Sequence, residues 1–68
     1  MKLSARNQLA GTVKEVNKGA AIANVVVDVG GQRIVSSITV EAAEDLGLAE
    51  GSPVTVIVKS SDVILATQ

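Results

Sequence analysis

The chain has 68 residues, room for one domain that buries only about 60% of the surface its unfolded form exposes. It holds no cysteine and no histidine, which excludes disulfides and thiolate clusters and leaves a zinc or copper site without its usual ligands, and a formal net charge of −1 does not mark a polyanion binder. The remaining support for so small a core is self-assembly, and a composition that is 47% hydrophobic and 0% aromatic, carried by Val, Ile, Leu and Ala, points the same way.

The opening segment, Met1 to Asn7, lacks the apolar stretch of a signal peptide, and the longest Val-rich run is far too short to cross a bilayer. A cytoplasmic protein with no membrane partner is expected. Charge is unevenly placed: residues 1–18 carry +3 through Lys2, Arg6, Lys14 and Lys18 against Glu15, and the remainder carries −4. Local positive charge suits a small anion held at defined points, and equally an unevenly charged polar surface.

Residues 8–17 read as a first strand whose alternation is imperfect, with Gly11 marking a bulge or a close backbone approach. Lys18-Gly19-Ala20 makes a turn. Over 21–29, Ala21, Ala23, Val25, Val27 and Val29 share one face, the expected core, while Ile22, Asn24, Val26 and Asp28 share the other. Gly30-Gly31 supplies the positive φ angles of a two-residue hairpin, so a third strand over about 32–39 pairs antiparallel with the second.

The stretch 40–46 changes character to Val-Glu-Ala-Ala-Glu-Asp-Leu and predicts a short helix, capped by Thr39 and ended by Gly47 in the left-handed conformation. After a turn at Glu50-Gly51-Ser52-Pro53, Val54, Val56 and Val58 alternate with Thr55, Ile57 and Lys59 in a fourth strand. Ser60-Ser61-Asp62 breaks the pattern, and Val63–Thr67 predicts a short fifth strand. Three strands, a helix and two strands give an all-β fold, a five-stranded OB-like barrel with one short helix between the third and fourth strands. No repeat, low-complexity segment or linker divides residues 1–68, so a single domain is expected. Ile22, Val26 and Ile57 give several strands a second apolar face, which calls for a partner.

No Ser-His-Asp or Cys-His set, P-loop or metal-spaced carboxylate cluster is present, so an enzyme is not expected, nor are direct cation ligands. Glu41, Glu44, Asp45 and Glu50 read as a solvated helical face. OB folds that bind single-stranded nucleic acid stack bases on aromatic rings, and this chain has none, so nucleic acid is disfavoured. Any ligand must be held by donors and charges, concentrated in Ser4, Arg6, Asn7, Lys18, Ser36, Ser37, Lys59, Ser60 and Ser61. Two stretches, Ser4-Ala5-Arg6-Asn7 and Lys59-Ser60, combine hydroxyl, cation and peptide N–H groups beside strand ends; read alone, each is also ordinary loop chemistry.

The segment Ser-Ala-Arg-Asn-Gln-Leu-x-Gly-x-Val over residues 4–13 resembles the opening signature of the molbindins, the small Mop-type molybdate-binding proteins. The likeness continues through Lys18-Gly19, Gly30-Gly31, Ile38-Thr39 and Leu46-Gly47-Leu48 to Lys59-Ser60-Ser61-Asp62-Val63, nearly the whole chain. The resemblance implies an OB-like fold, a homohexamer arranged as a trimer of dimers, and molybdate or tungstate held at subunit interfaces. Carried over, a first oxyanion site uses Ser4, Ala5, Arg6, Lys59 and Ser60, and a second, less well matched, uses Lys18, Gly19, Ala20 and Ser37 near a symmetry axis.

The residue types fit that ligand. Molybdate is a tetrahedral dianion with four acceptor oxygens and no proton to donate, and Arg, Lys, Ser and peptide N–H groups offer donors. The reading is therefore storage or buffering of molybdate in an oligomer. The alternative, from a different class, is an OB-like protein-interaction module without a small ligand, its loop cations merely solubilising.

Overall fold

A long first strand organises the molecule. In the computed structural model, which describes residues 2–68, β1 spans Asn7–Lys18, β2 Ile22–Val29, β3 Gln32–Thr39 and β4 Pro53–Val58, with a six-residue helix α1, Val40–Asp45, between β3 and β4. All pairings are antiparallel and the sheet order is β3-β2-β1-β4. One half of β1 pairs with β4, from Asn7↔Val58 to Thr12↔Pro53, and the other with β2, from Thr12↔Asp28 to Lys18↔Ala23. A single strand thus serves two neighbours over different parts of its length, which is how a sheet coils toward a barrel.

The coil is sharpest between Val13 and Glu15, where the register shifts and Lys14 is the extra residue of a bulge. Around it the ladder continues with non-strand partners: Val13 N–H donates to the Ser52 carbonyl at 2.9 Å, and Gly51 N–H donates to the Val13 carbonyl at 2.8 Å. Gly11 marks a close approach, as its sequence position suggested, because a Cβ there would lie 2.6 Å from Val27 Cγ1 and 2.9 Å from the Asp28 carbonyl oxygen.

The core is small and aliphatic. Val13, Ala23, Val25, Val27 and Ala43 are buried, with Val16, Val29, Ile34, Ile38, Leu48, Val54 and Val56 packed around the central valines. The expected core face of β2 is therefore the buried one, except that Ala21 lies in the turn and is exposed. Gly30 and Gly31 carry φ of 56° and 86° and close the β2–β3 hairpin.

Helix α1 has both predicted ends. Thr39 adopts extended dihedrals and its Oγ1 accepts from Ala42 N–H at 3.0 Å. At the other end Gly47, φ 63°, lets its own N–H reach the Glu44 carbonyl at 3.0 Å and Leu48 N–H reach the Ala43 carbonyl at 3.1 Å, a Schellman closure. Ala43 is the residue it buries, so the helix sits over one end of the sheet.

The end of the chain departs from expectation. The sheet has four strands and is not closed; Val63–Thr67 forms no strand. A single 3₁₀ turn, Ser60–Asp62, redirects the chain after β4, and beyond it Ile64 and Leu65 are 92% and 87% exposed. The physical reason is that β-pairing and apolar burial both need a partner, and no strand of the same chain stands beside this segment. Between the β3 and β4 sides lies an open apolar groove of about 190 Å³ lined by Val25, Val27, Ile38, Leu48, Val54 and Val56 among others. Ile22 and Val35 are exposed on the other side of the sheet, part of the second apolar face read from the alternation, whereas Ile57, expected on that face, is exposed and lines the groove. Among the described residues no helix is long and apolar enough to cross a membrane.

Candidate functional site

Strand pairing brings together the two donor-rich stretches that lie more than 50 residues apart in sequence. Asn7 opens β1 opposite Val58, the last residue of β4. Ser4, Ala5 and Arg6 therefore lead into the same end of the β1–β4 pair from which Lys59 and Ser60 depart. Asn7 fastens this end a second time, its Nδ2 donating to the Val58 carbonyl at 3.1 Å. This is the use the structure makes of Asn7, one of the donors noted in the sequence; it frames the cluster.

Local structure explains why the two stretches hold donors outward. Ser4 sits in a bend before β1 and Ser60 begins the 3₁₀ turn, with Asp62 N–H donating to the Lys59 carbonyl at 2.9 Å. The leading N–H groups of a helical turn have no partner within it. Ser4, Arg6, Lys59 and Ser60 are exposed and Ala5 half-buried. Among the described residues neither Arg6 nor Lys59 is ion-paired, so both guanidinium and ammonium groups face solvent unneutralised.

The second set of residues is brought together only in part. Lys18 ends β1 and Gly19 N–H donates to the Ile22 carbonyl at 2.8 Å, which closes the Lys18-Gly19-Ala20 turn. A side chain on Gly19 would press on that carbonyl, its Cβ at 3.2 Å. Ser37 lies elsewhere: it pairs with Asn24, whose other neighbour is Asn17, so two strand spacings of roughly 4.8 Å each separate it from β1. Lys18 pairs with buried Ala23, whereas Ser37 pairs with Asn24 on the opposite face. In one chain, therefore, Ser37 and Lys18 occupy opposite faces of the sheet. Ser36, another donor noted in the sequence, lines the apolar groove.

One charged contact was invisible in the sequence. Glu44 of α1, read there as part of a solvated acidic face, has its Oε1 3.9 Å from Lys18 Nζ. No local spacing signals this pair, because the contact depends on how α1 folds back over the end of β1.

Comparison with known proteins agrees with the fold and with the motifs. The model of the TOBE domain matches residues 3–65. Molybdenum-pterin-binding protein 3 of Clostridium pasteurianum is 46% identical over 66 residues, 96% of this chain and 97% of that protein. Among solved structures, a molybdate-binding protein from Sporomusa ovata superposes with a TM-score of 0.94 at 40% identity, covering 98% of this chain and 100% of that one. The cytoplasmic molybdate-binding protein ModG with molybdate bound gives a TM-score of 0.89 at 45% identity, covering 94% of this chain and 46% of that one. The class defined by this coiled sheet and its donor-bearing strand ends is the TOBE domain. Within that class the chain belongs to the molbindin, or Mop-type, family.

Proposed function

We propose that this protein binds molybdate, and by the same chemistry tungstate, and serves as a cytoplasmic store or buffer of the oxyanion. The observation that carries the reading is the meeting of Ser4, Ala5 and Arg6 with Lys59 and Ser60 at one end of the β1–β4 pair, with both cations unpaired among the described residues. The molybdate named for the related Sporomusa ovata and ModG proteins supports it.

The chemistry follows from the donor set. Arg6 and Lys59 supply charge-assisted bonds, and the Ser4 and Ser60 hydroxyls with nearby peptide N–H groups complete a surround dominated by donors. Hydrogen phosphate, whose proton needs an acceptor, is disfavoured there; sulfate has the same bonding character as molybdate and is discriminated by size. The chain's composition, 0% aromatic, offers no ring on which a pterin would stack, so the oxyanion is the better-matched part of the ligand named for its Clostridium relative.

The functional unit in this reading is a homo-oligomer, a hexamer built as a trimer of dimers, with the second site (Lys18, Gly19, Ala20 and Ser37) drawn from more than one copy. The separation of Ser37 from Lys18 within a chain supports sharing of that site. The exposed Ile64 and Leu65 and the open groove support pairing of residues 63–67 with a neighbour, which would supply the fifth strand and close the barrel.

Calorimetric titration of the assembled protein with molybdate, with sulfate and phosphate as controls, tests the function. Arg6→Ala and Lys59→Ala are each expected to weaken binding by about 1.5–3 kcal/mol, the scale of hydrogen bonds to charged groups. Unchanged affinity in both variants removes the first site. Absence of heat from a folded, assembled wild type removes the ligand altogether and leaves a protein-docking module, the reading that exposed Ile22 and Val35 would then favour.

A further inference from the structure

The Lys18–Glu44 contact does not have the features of a stabilising ion pair. Its partners are 46% and 62% exposed and stand 3.9 Å apart, a loose surface geometry whose contribution to folding is small. Nor does α1 gain from the acid. Glu44 lies in the last turn, at the negative end of the helix dipole, and no basic residue balances it there. Yet the backbone that carries the carboxylate is held in place firmly. Val40 N–H at the start of α1 donates to the Ala21 carbonyl at 2.8 Å, the Thr39 cap fixes the first turn, and Gly19 N–H closes the neighbouring turn onto the Ile22 carbonyl. The helix and the Lys18-Gly19-Ala20 turn are thus fastened to each other, which keeps the Glu44 and Lys18 backbones neighbours.

We propose that Glu44 sets the affinity of the second oxyanion site by competing with the ligand for Lys18. The proposal rests on the reading of the Lys18-Gly19-Ala20 turn as an anion site. An arriving anion must draw the ammonium group away from a carboxylate that is already beside it. Freeing Lys18 is a fixed cost that any anion meets, and a dianion, with twice the Coulomb attraction of a monoanion at the same distance, still binds against it. The carboxylate also repels whatever binds, so the second site is weaker than the first, where among the described residues Arg6 and Lys59 have no carboxylate partner. The two sites therefore fill in sequence as molybdate rises, with the turn acting as overflow capacity.

The test is titration of the full-length protein with sodium molybdate, comparing wild type, Glu44→Gln, Lys18→Ala and the double variant. Gln preserves the size and helix propensity of the residue, and the Glu44 backbone carbonyl that accepts from Gly47 is untouched. Glu44→Gln is expected to tighten the weaker class of sites by roughly 3- to 10-fold at low salt, a gain that shrinks as salt screens it. The gain should be smaller in the Lys18→Ala background, where only the relief of direct repulsion remains. A Glu44→Gln protein with unchanged binding, while Lys18→Ala still weakens the second class, overturns the role of Glu44 and leaves the site standing. If Lys18→Ala also changes nothing, the reading of the turn as an anion site falls and the proposal falls with it.

Discussion

Replacing Gly11 with alanine probes the tightest packing in the coiled sheet. The added Cβ would meet Val27 Cγ1 at 2.6 Å, the Asp28 carbonyl oxygen at 2.9 Å and Val29 Cγ2 at 3.0 Å. Two of these atoms belong to side chains and one to the backbone of β2, and Val27 is itself buried against Val13 and Val25, so little can yield without moving a strand. Overpacking of this kind costs about 1–3 kcal/mol. Gly11 does not have the positive φ of Gly30, Gly31, Gly47 or Gly51, so alanine adds no torsional strain and recovers about 0.4–1 kcal/mol by restricting the unfolded chain. The net loss is about 1–2 kcal/mol. In a domain of this size that lowers Tm by roughly 5–15 °C. The assay is thermal unfolding followed by circular dichroism at one fixed protein concentration, because the proposed assembly would make Tm concentration-dependent. An unchanged or raised Tm would refute the argument that β1 reaches β2 only because residue 11 lacks a side chain.

Thr39→Ala removes the hydroxyl that accepts from Ala42 N–H and should cost about 1 kcal/mol in a urea titration; Thr39→Ser should restore most of it. Deleting residues 63–68 removes the exposed Val63, Ile64 and Leu65 and is expected to lower the assembled mass measured by light scattering. Retention of the full oligomer would show that this tail does not hold the copies together.

The local elements were legible because each is written in a short-range pattern. Alternation over 21–29 put Ala23, Val25 and Val27 on one face, and these are the buried residues. Gly30-Gly31 could close the β2–β3 hairpin because only glycine takes two successive positive φ angles without strain. Thr39 and Gly47 bracketed α1 because orphan N–H and C=O groups need partners at helix ends whatever the surrounding fold. Position 11 was recognised as unusual, while the bulge itself falls at Lys14, where nothing in the residue type announces it. It is set by how β1 divides its length between β2 and β4.

Sequence by itself determined the family, the succession of elements up to β4 and the chemistry of the candidate site residues, since a set of Ser, Arg and Lys donors states its preference for an acceptor-only anion without reference to coordinates. Tertiary structure decided which donors meet. It put Ser4–Arg6 and Lys59–Ser60 at the same end of the β1–β4 pair, sent Ser37 to the face opposite Lys18, and brought Glu44 to the lysine it faces. It also left Val63–Thr67 without a strand to pair with. An apolar alternation records that a segment can form a strand; whether it does depends on an edge with free N–H and C=O groups beside it, and that edge is a property of the folded chain and its neighbours.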